Sequence, residues 1–286
     1  MQGRLDTLDL LDARRFQILV RRLADSLSYG TDRSPFVGSG FDYLQSRPYQ
    51  PGDPVRSIDW RVTARTRRFH VREYESTRCM PVQLLIDTSA SMTVASVRPS
   101  KYATALYLAG GIALACLDRV SPVGVVGVGS RGLLVRPTLS KTRILEWLLR
   151  LRTFRYDEAT ELSARVAEIT PSLRQRTLVI VLSDLHDPGA LEALTLLAQR
   201  HDCVVLQLQD PAELALRGAG LVRAREAETG REFHTHGRRA QSDPARVQQA
   251  LRERGIDHLC LRTDREFVLA VRRLFESRGV LGRKAR

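Results

Sequence analysis

Lysine is almost absent: only Lys101, Lys141 and Lys284 occur in 286 residues, so nearly all of the +13 net charge is arginine. The arginines are spread from Arg4 to Arg286, with no block of five like charges and no aromatics interleaved among them. A nucleic-acid surface needs clustered charge and stacking rings, so the skew reads as coding bias and argues against nucleic acid as the main partner. The four cysteines, Cys79, Cys116, Cys203 and Cys260, are far apart and lack metal-ligand spacing. They read as reduced thiols of a cytoplasmic protein. The longest apolar stretch, Ala103 to Leu117, contains Thr104 and two glycines and is too short to cross a bilayer. The polar start, Met1 to Asp6, has no apolar segment of the kind a secretory leader needs. There is no Gly-x-x-x-x-Gly-Lys-Ser/Thr loop, so ATP hydrolysis would have to come from another protein. No Gly-x-Ser-x-Gly elbow exists either, which removes the usual serine hydrolase arrangement.

What is present centres on Val82-Gln83-Leu84-Leu85-Ile86-Asp87-Thr88-Ser89-Ala90-Ser91. The apolar run predicts a strand buried on both faces of a parallel sheet, and Asp-x-Ser-x-Ser falls just past its C-terminal end. That edge is where open α/β sheets bind ligands. A carboxylate and two hydroxyls are hard oxygen donors, suited to Mg²⁺ or Mn²⁺ and poorly to zinc.

Along the chain, residues 5–27 place Leu5, Leu8, Leu11, Phe16, Leu19, Leu23 and Leu27 at helical spacing, which predicts an amphipathic helix and linker over 1–35. Residues 36–78 form a second region rich in arginine and tryptophan, expected to pack on the main sheet. There Pro51-Gly52-Asp53-Pro54 reads as a turn, with Arg47, Arg56, Arg61 and Arg65 set against Asp53 and Asp59, and Trp60 as anchor. Two readings stand side by side: an internal arginine–carboxylate network, or a partner-docking face built on Arg47, Asp53, Asp59, Trp60 and Arg65. Phe69 to Glu75 alternates as a half-buried strand.

From 79 to 286, strands alternate with helices. Strands are expected at 82–86, 123–128, 133–137, 177–182 and 203–208, a hairpin at 221–233, and helices at 100–117, 141–151, up to 169, 188–200, 243–254 and 265–278. The pattern predicts an α/β fold with a doubly wound, mainly parallel sheet and an N-terminal helical/β appendage. Gly127-Val128-Gly129-Ser130-Arg131-Gly132 matches a dinucleotide fingerprint by letter. A strand follows it instead of a helix, so it reads as a hairpin turn.

A second apolar strand, Thr177 to Leu182, ends in Ser183-Asp184. If the two strands are neighbours, Asp87 and Asp184 enter one crevice, and Thr160 on a loop before a helix supplies a third segment. Asp87, Ser89, Ser91, Thr160 and Asp184 would then hold Mg²⁺, directly or through water, with a position left for a partner's carboxylate. The alternative is that each aspartate caps the helix after it, a frequent role for Asp at this place. An enzyme reading, a metal-dependent phosphoesterase, would draw its base from His186 or Asp187.

These motifs together resemble the family called domain of unknown function fifty-eight. Arg47 to Asp53 matches its Arg-x-Tyr-x-Pro-Gly-Asp turn; Ile58-Asp59-Trp60 and Ala64-Arg65 match its following signature. The resemblance implies a von Willebrand factor A-like, Rossmann-type core with a metal-ion-dependent adhesion site. Asp87, Ser89 and Ser91 match that site's triplet and Asp184 its downstream aspartate. One position departs: the family's threonine follows paired glycines, whereas Thr160 follows Glu158-Ala159. The resemblance also implies a partner, a MoxR-type AAA+ ATPase, and hence a non-enzymatic, chaperone-like bacterial adaptor. A basic nucleic-acid-binding protein is the remaining alternative.

Overall fold

The computed structural model describes residues 2–4, 41–51, 53, 55, 58–76, 80–118, 120–130, 132–155, 158–215, 221–225, 232–236 and 244–280. The helix expected over 5–27 lies outside the described residues. Gln2–Arg4 forms a short strand, β1. Two compact units follow from the packing: Val37–Cys79, and the rest of the chain.

In the smaller unit, β2 (Phe41–Pro48) pairs antiparallel with β3 (His70–Ser76), and α1 (Trp60–Thr66) lies between them in sequence. The sequence reading placed a network here but no helix. Its local signal is Asp59, an N-cap whose carboxylate accepts from Arg61 N and Val62 N at 3.1 and 3.2 Å. Thr63 Oγ1 accepts from His70 N, which fixes the helix to the strand after it.

The larger unit continues with β4 (Val82–Ile86), α2 (Lys101–Asp118), β5 (Val123–Gly127), β6 (Leu134–Thr138), α3 (Lys141–Leu151), β7 (Thr153–Arg155) and α4 (Leu162–Ile169). It then runs through β8 (Leu178–Ser183), α5 (Ala190–Ala198), β9 (Asp202–Gln209), α6 (Pro211–Ala215), β10 (Leu221–Arg225), β11 (Glu232–His236), α7 (Pro244–Glu253), β12 (Asp257–Arg262) and α8 (Val268–Val280). β1 pairs with β7, and β10 with β11, each antiparallel. Six strands make the main sheet in the order β12-β9-β8-β4-β5-β6, parallel except for β6. The fold is α/β, with helices on both faces of a mainly parallel sheet.

Alternation along the strands explains the two layers. Leu84 and Ile86 of β4 join Ile180, Leu182, Val204 and Leu206 in a core with α2, α3 and α8. Leu85 joins Val179, Val181 and Val205 in another, against α4, α5 and α7. Burial on both faces is why β4 and β8 read as unbroken apolar runs. α2 is buried almost all round, and its alanines and glycines let it do so.

The sixth strand, β12, was not visible as a strand in the sequence: polar Asp257, His258 and Arg262 dilute its pattern, as suits an edge. The chain leaves β4 toward β5 and β6, then returns to β8 on the other side and goes on to β9 and β12. The order therefore reverses between β4 and β8, and a crevice opens at their C-terminal ends.

Candidate metal site

Ile86 pairs with Leu182 in parallel register, so Asp87 and Ser183 leave the sheet side by side. Asp87 N donates to Leu182 O at 2.9 Å, which extends the ladder one step. The Asp87 carboxylate is fully buried. Its Oδ1 accepts from Ser89 N at 3.0 Å and its Oδ2 from Ser183 Oγ at 2.5 Å. Ser89 Oγ and Ser91 Oγ lie 3.0 Å apart in one hydrogen bond. The loop thus gathers Asp87, Ser89 and Ser91.

Asp184 has the opposite surroundings. Lys101 Nζ donates to Asp184 Oδ2 at 2.7 Å and also pairs with Glu213 on α6. Lys101 is 1% exposed, at the first position of α2. His186 Nδ1 lies 3.2 Å from the same Asp184 oxygen, and Gln207 Nε2 donates to Asp184 O. The Asp184, His186 and Glu213 ligand atoms all fall within 4.8 Å of one another, a spacing that could hold a metal ion. In this arrangement the Lys101 ammonium already satisfies both carboxylates.

The electrostatics divide the two acids. Burial, reinforced by the Asp184 charge, raises the Asp87 pKa to about 6. For Asp184, burial pushes upward, but the His186 hydrogen bond and the Lys101 charge outweigh it and hold the carboxyl well below its ordinary range. Burial pulls His186 and Lys101 down; the Asp184 contact, with Glu213, outweighs it, and both end raised. Asp184 has its own cation. Among the described residues, no basic side chain lies within ion-pair distance of Asp87.

Thr160 lies on the loop before α4, bridged to Gly129 through the backbone. That loop is held against the Asp87 loop by Glu158, whose carbonyl accepts from Ala90 N and whose Oε1 accepts from Thr88 Oγ1 at 2.6 Å. The structure brings Asp87, Ser89, Ser91 and Asp184 to one sheet edge, with the 158–160 loop beside them. Asp187 ties its own turn to the start of α4: Oδ2 accepts from Ser163 N and Oδ1 from Gly189 N.

Four participants escaped the sequence reading. Ser183 and Lys101 left traces, a hydroxyl before the second aspartate and a lone cation opening an apolar helix. Glu158 and Glu213 left none, since nothing local distinguishes them from solvated carboxylates. A methyl group added at Gly129 would overlap both Glu158 Oε1 and Thr88 Oγ1. Gly129→Ala is therefore expected to lower the urea unfolding free energy by about 1–3 kcal/mol. Gly132→Ala, with open space around its Cβ, is the matched control and should leave the midpoint in place.

In the smaller unit, Arg47 forms a two-pronged pair with Asp53, Nη1 to Oδ2 and Nη2 to Oδ1, each 2.8 Å. Asp59, besides capping α1, accepts from Ser46 Oγ at 2.8 Å. Three of the five candidate docking residues are thus engaged internally, whereas Trp60 and Arg65 stand exposed.

The fold is thus of the open, mainly parallel α/β class, in which ligands, where bound, sit at the C-terminal ends of the strands where the order reverses. The chain belongs to the family described as "Protein of unknown function DUF58", which matches residues 45–254. It is 28% identical to the uncharacterized protein Rv1480 of Mycobacterium tuberculosis, over 97% of this chain and 92% of that one. The uncharacterized protein Mb1516 of Mycobacterium bovis matches to the same extent. Among solved structures, the conserved hypothetical protein BatB from Bacteroides thetaiotaomicron is similar at a TM-score of 0.47 and 16% identity, covering 70% of this chain and 99% of that one.

Proposed function

We propose that the larger unit is a von Willebrand factor A-like domain carrying a metal-ion-dependent adhesion site, and that the protein is a non-enzymatic adaptor. The observation that supports this is Asp87: a fully buried carboxylate at the sheet's switch point, beside a second acid, with no cation of its own among the described residues. A desolvated carboxyl next to like charge pays a cost to ionise, and a bound cation offsets that cost. Asp87, Ser89 and Ser91 offer hard oxygens suited to Mg²⁺ or Mn²⁺, with Thr160 and Asp184 contributing directly or through water. When bound, such an ion supplies positive charge and a position for one more hard oxygen, most simply a partner protein's Asp or Glu.

The chain's own residues prepare that position. Ser183 and the Ser89 amide hold Asp87 in one orientation, and Lys101 keeps Asp184 ionised. The family resemblance supplies the other half of the reading, a MoxR-type AAA+ ATPase that hydrolyses ATP while this protein engages the client. No described helix is long and apolar enough to cross a membrane.

The test is direct. Mg²⁺ or Mn²⁺ should raise the melting temperature of wild type, and EDTA should reverse it. Asp87→Ala should fold, lose the shift and lose ion-dependent capture of the ATPase or client in a pull-down. Wild type indifferent to both ions would end the adhesion-site reading.

A further inference from the structure

In the smaller unit, the two sides of α1 differ. Its inner side is fixed: Ile58 and Val71 are buried and bridged to each other, Asp59 caps the helix, and Thr63 accepts from His70 N. Its outer side is open, apart from an edge-to-face contact of Phe69 with Tyr49. No residue of α1 is buried, Trp60 is 61% exposed, and Phe69, just past the helix, is 58% exposed. Between the two rings stand Arg61, Arg65, Arg67 and Arg68, all exposed.

Two arginines elsewhere on this chain take a neighbouring acid, Arg165 taking Glu168 and Arg262 taking Asp264. Around α1 the nearby acids face other groups: Asp53 is occupied by Arg47 and Gln50 N, Asp59 by the helix start and Ser46. None of the four guanidinium groups has a carboxylate within ion-pair distance among the described residues. Four like charges within eight residues are left uncompensated on a rigid support.

We propose that this surface docks an acidic segment of a partner protein that carries apolar side chains among its carboxylates. Guanidinium groups bind carboxylates through paired hydrogen bonds, and exposed tryptophan beside arginine is the usual make-up of an interface anchor. The shape disfavours the two other polyanions. α1 is only seven residues long and has no continuous apolar stripe to enter a lipid surface. Trp60, set four cations away in sequence from Phe69 and its edge-on neighbour Tyr49, is also not part of the succession of rings that single-stranded nucleic acid stacks upon.

The experiment uses the full chain and a fluorescent synthetic peptide of alternating glutamate and leucine, read by anisotropy in EDTA. The peptide should bind, and more weakly as salt rises. Trp60→Ala, and separately Arg61→Glu with Arg65→Glu, should each weaken binding at least about tenfold. Unchanged urea midpoints would show that these exposed substitutions leave the fold intact. A glutamate–serine peptide should bind less well than the glutamate–leucine one. Phosphatidylserine vesicles and oligothymidylate serve as the competing probes. Absence of peptide binding in EDTA, equal binding by the variants, or tighter binding of vesicles or oligonucleotide would each overturn the proposal. Because every arm lacks divalent ions, its failure leaves the Asp87 site untouched, and the reverse also holds.

Discussion

Lys101→Met is expected to lower the unfolding free energy by about 3–5 kcal/mol, the cost of leaving a buried charge without its partner. The methionine keeps most of the side chain's length and apolar volume, so the effect isolates the ammonium. Asp184, 1% exposed, loses its principal cation and keeps only the ring and backbone N–H of His186. Glu213, nearer solvent, rehydrates more cheaply. Adding Asp184→Asn to Lys101→Met should recover a large part of the loss, because the second strand end then carries no buried charge that needs a partner. Urea denaturation at neutral pH checks both. If Lys101→Met unfolds at the wild-type midpoint, the Lys101–Asp184 pair does not neutralise the second strand end.

Asp87→Asn should have the opposite sign. In the folded protein the Asp87 carboxyl titrates at about 6, against 3.8 for its ordinary value. A raised carboxyl contributes its full stability only below the unfolded pKa and loses it as the pH climbs through the folded one. At pH 8, without divalent ions, the ionised Asp87 therefore costs on the order of 2–3 kcal/mol. Asparagine removes that cost and can still accept from the Ser89 amide. In EDTA the variant should unfold at higher urea than wild type at pH 8. The gap should narrow as the pH falls through 6 and close near 4. Mg²⁺ should stabilise wild type and leave Asp87→Asn unmoved. A variant less stable than wild type at pH 8 in EDTA would mean that Asp87 is already satisfied by the protein alone.

The sheet was legible because its central strands are buried on both faces and so carry continuous apolar runs; β4, β8 and β9 could be read from residue types alone. β12 could not, since an edge strand keeps polar residues on its open side. α1 was hidden for a different reason. Val62, Thr63 and Thr66 are poor helix formers, and the cap at Asp59 outweighs them only once its two amide hydrogen bonds are made. For the site, the two strand-end aspartates stood out as acids following long apolar runs. Their difference did not, because it depends on Lys101, 83 residues from Asp184, and on Ser183, 96 residues from Asp87. Local pattern registers which groups reach the sheet edge. It does not register which long-range partner each will meet. The same applies to Arg47 and Asp53: the turn between them was readable, but that it faces them toward each other, leaving Trp60 and Arg65 outside, is a tertiary outcome.

Asp87 and Ser183 come from adjacent strands, yet all of α2, β5, β6, α3, β7 and α4 is strung between them. Translation adds roughly 5–20 residues per second, so for several seconds a nascent chain displays the first acid with nothing opposite it. The recognition proposed for that edge is thus withheld until the returning strand has docked, and a fragment ending before Leu178 should be inert toward divalent ions however well its own helices form.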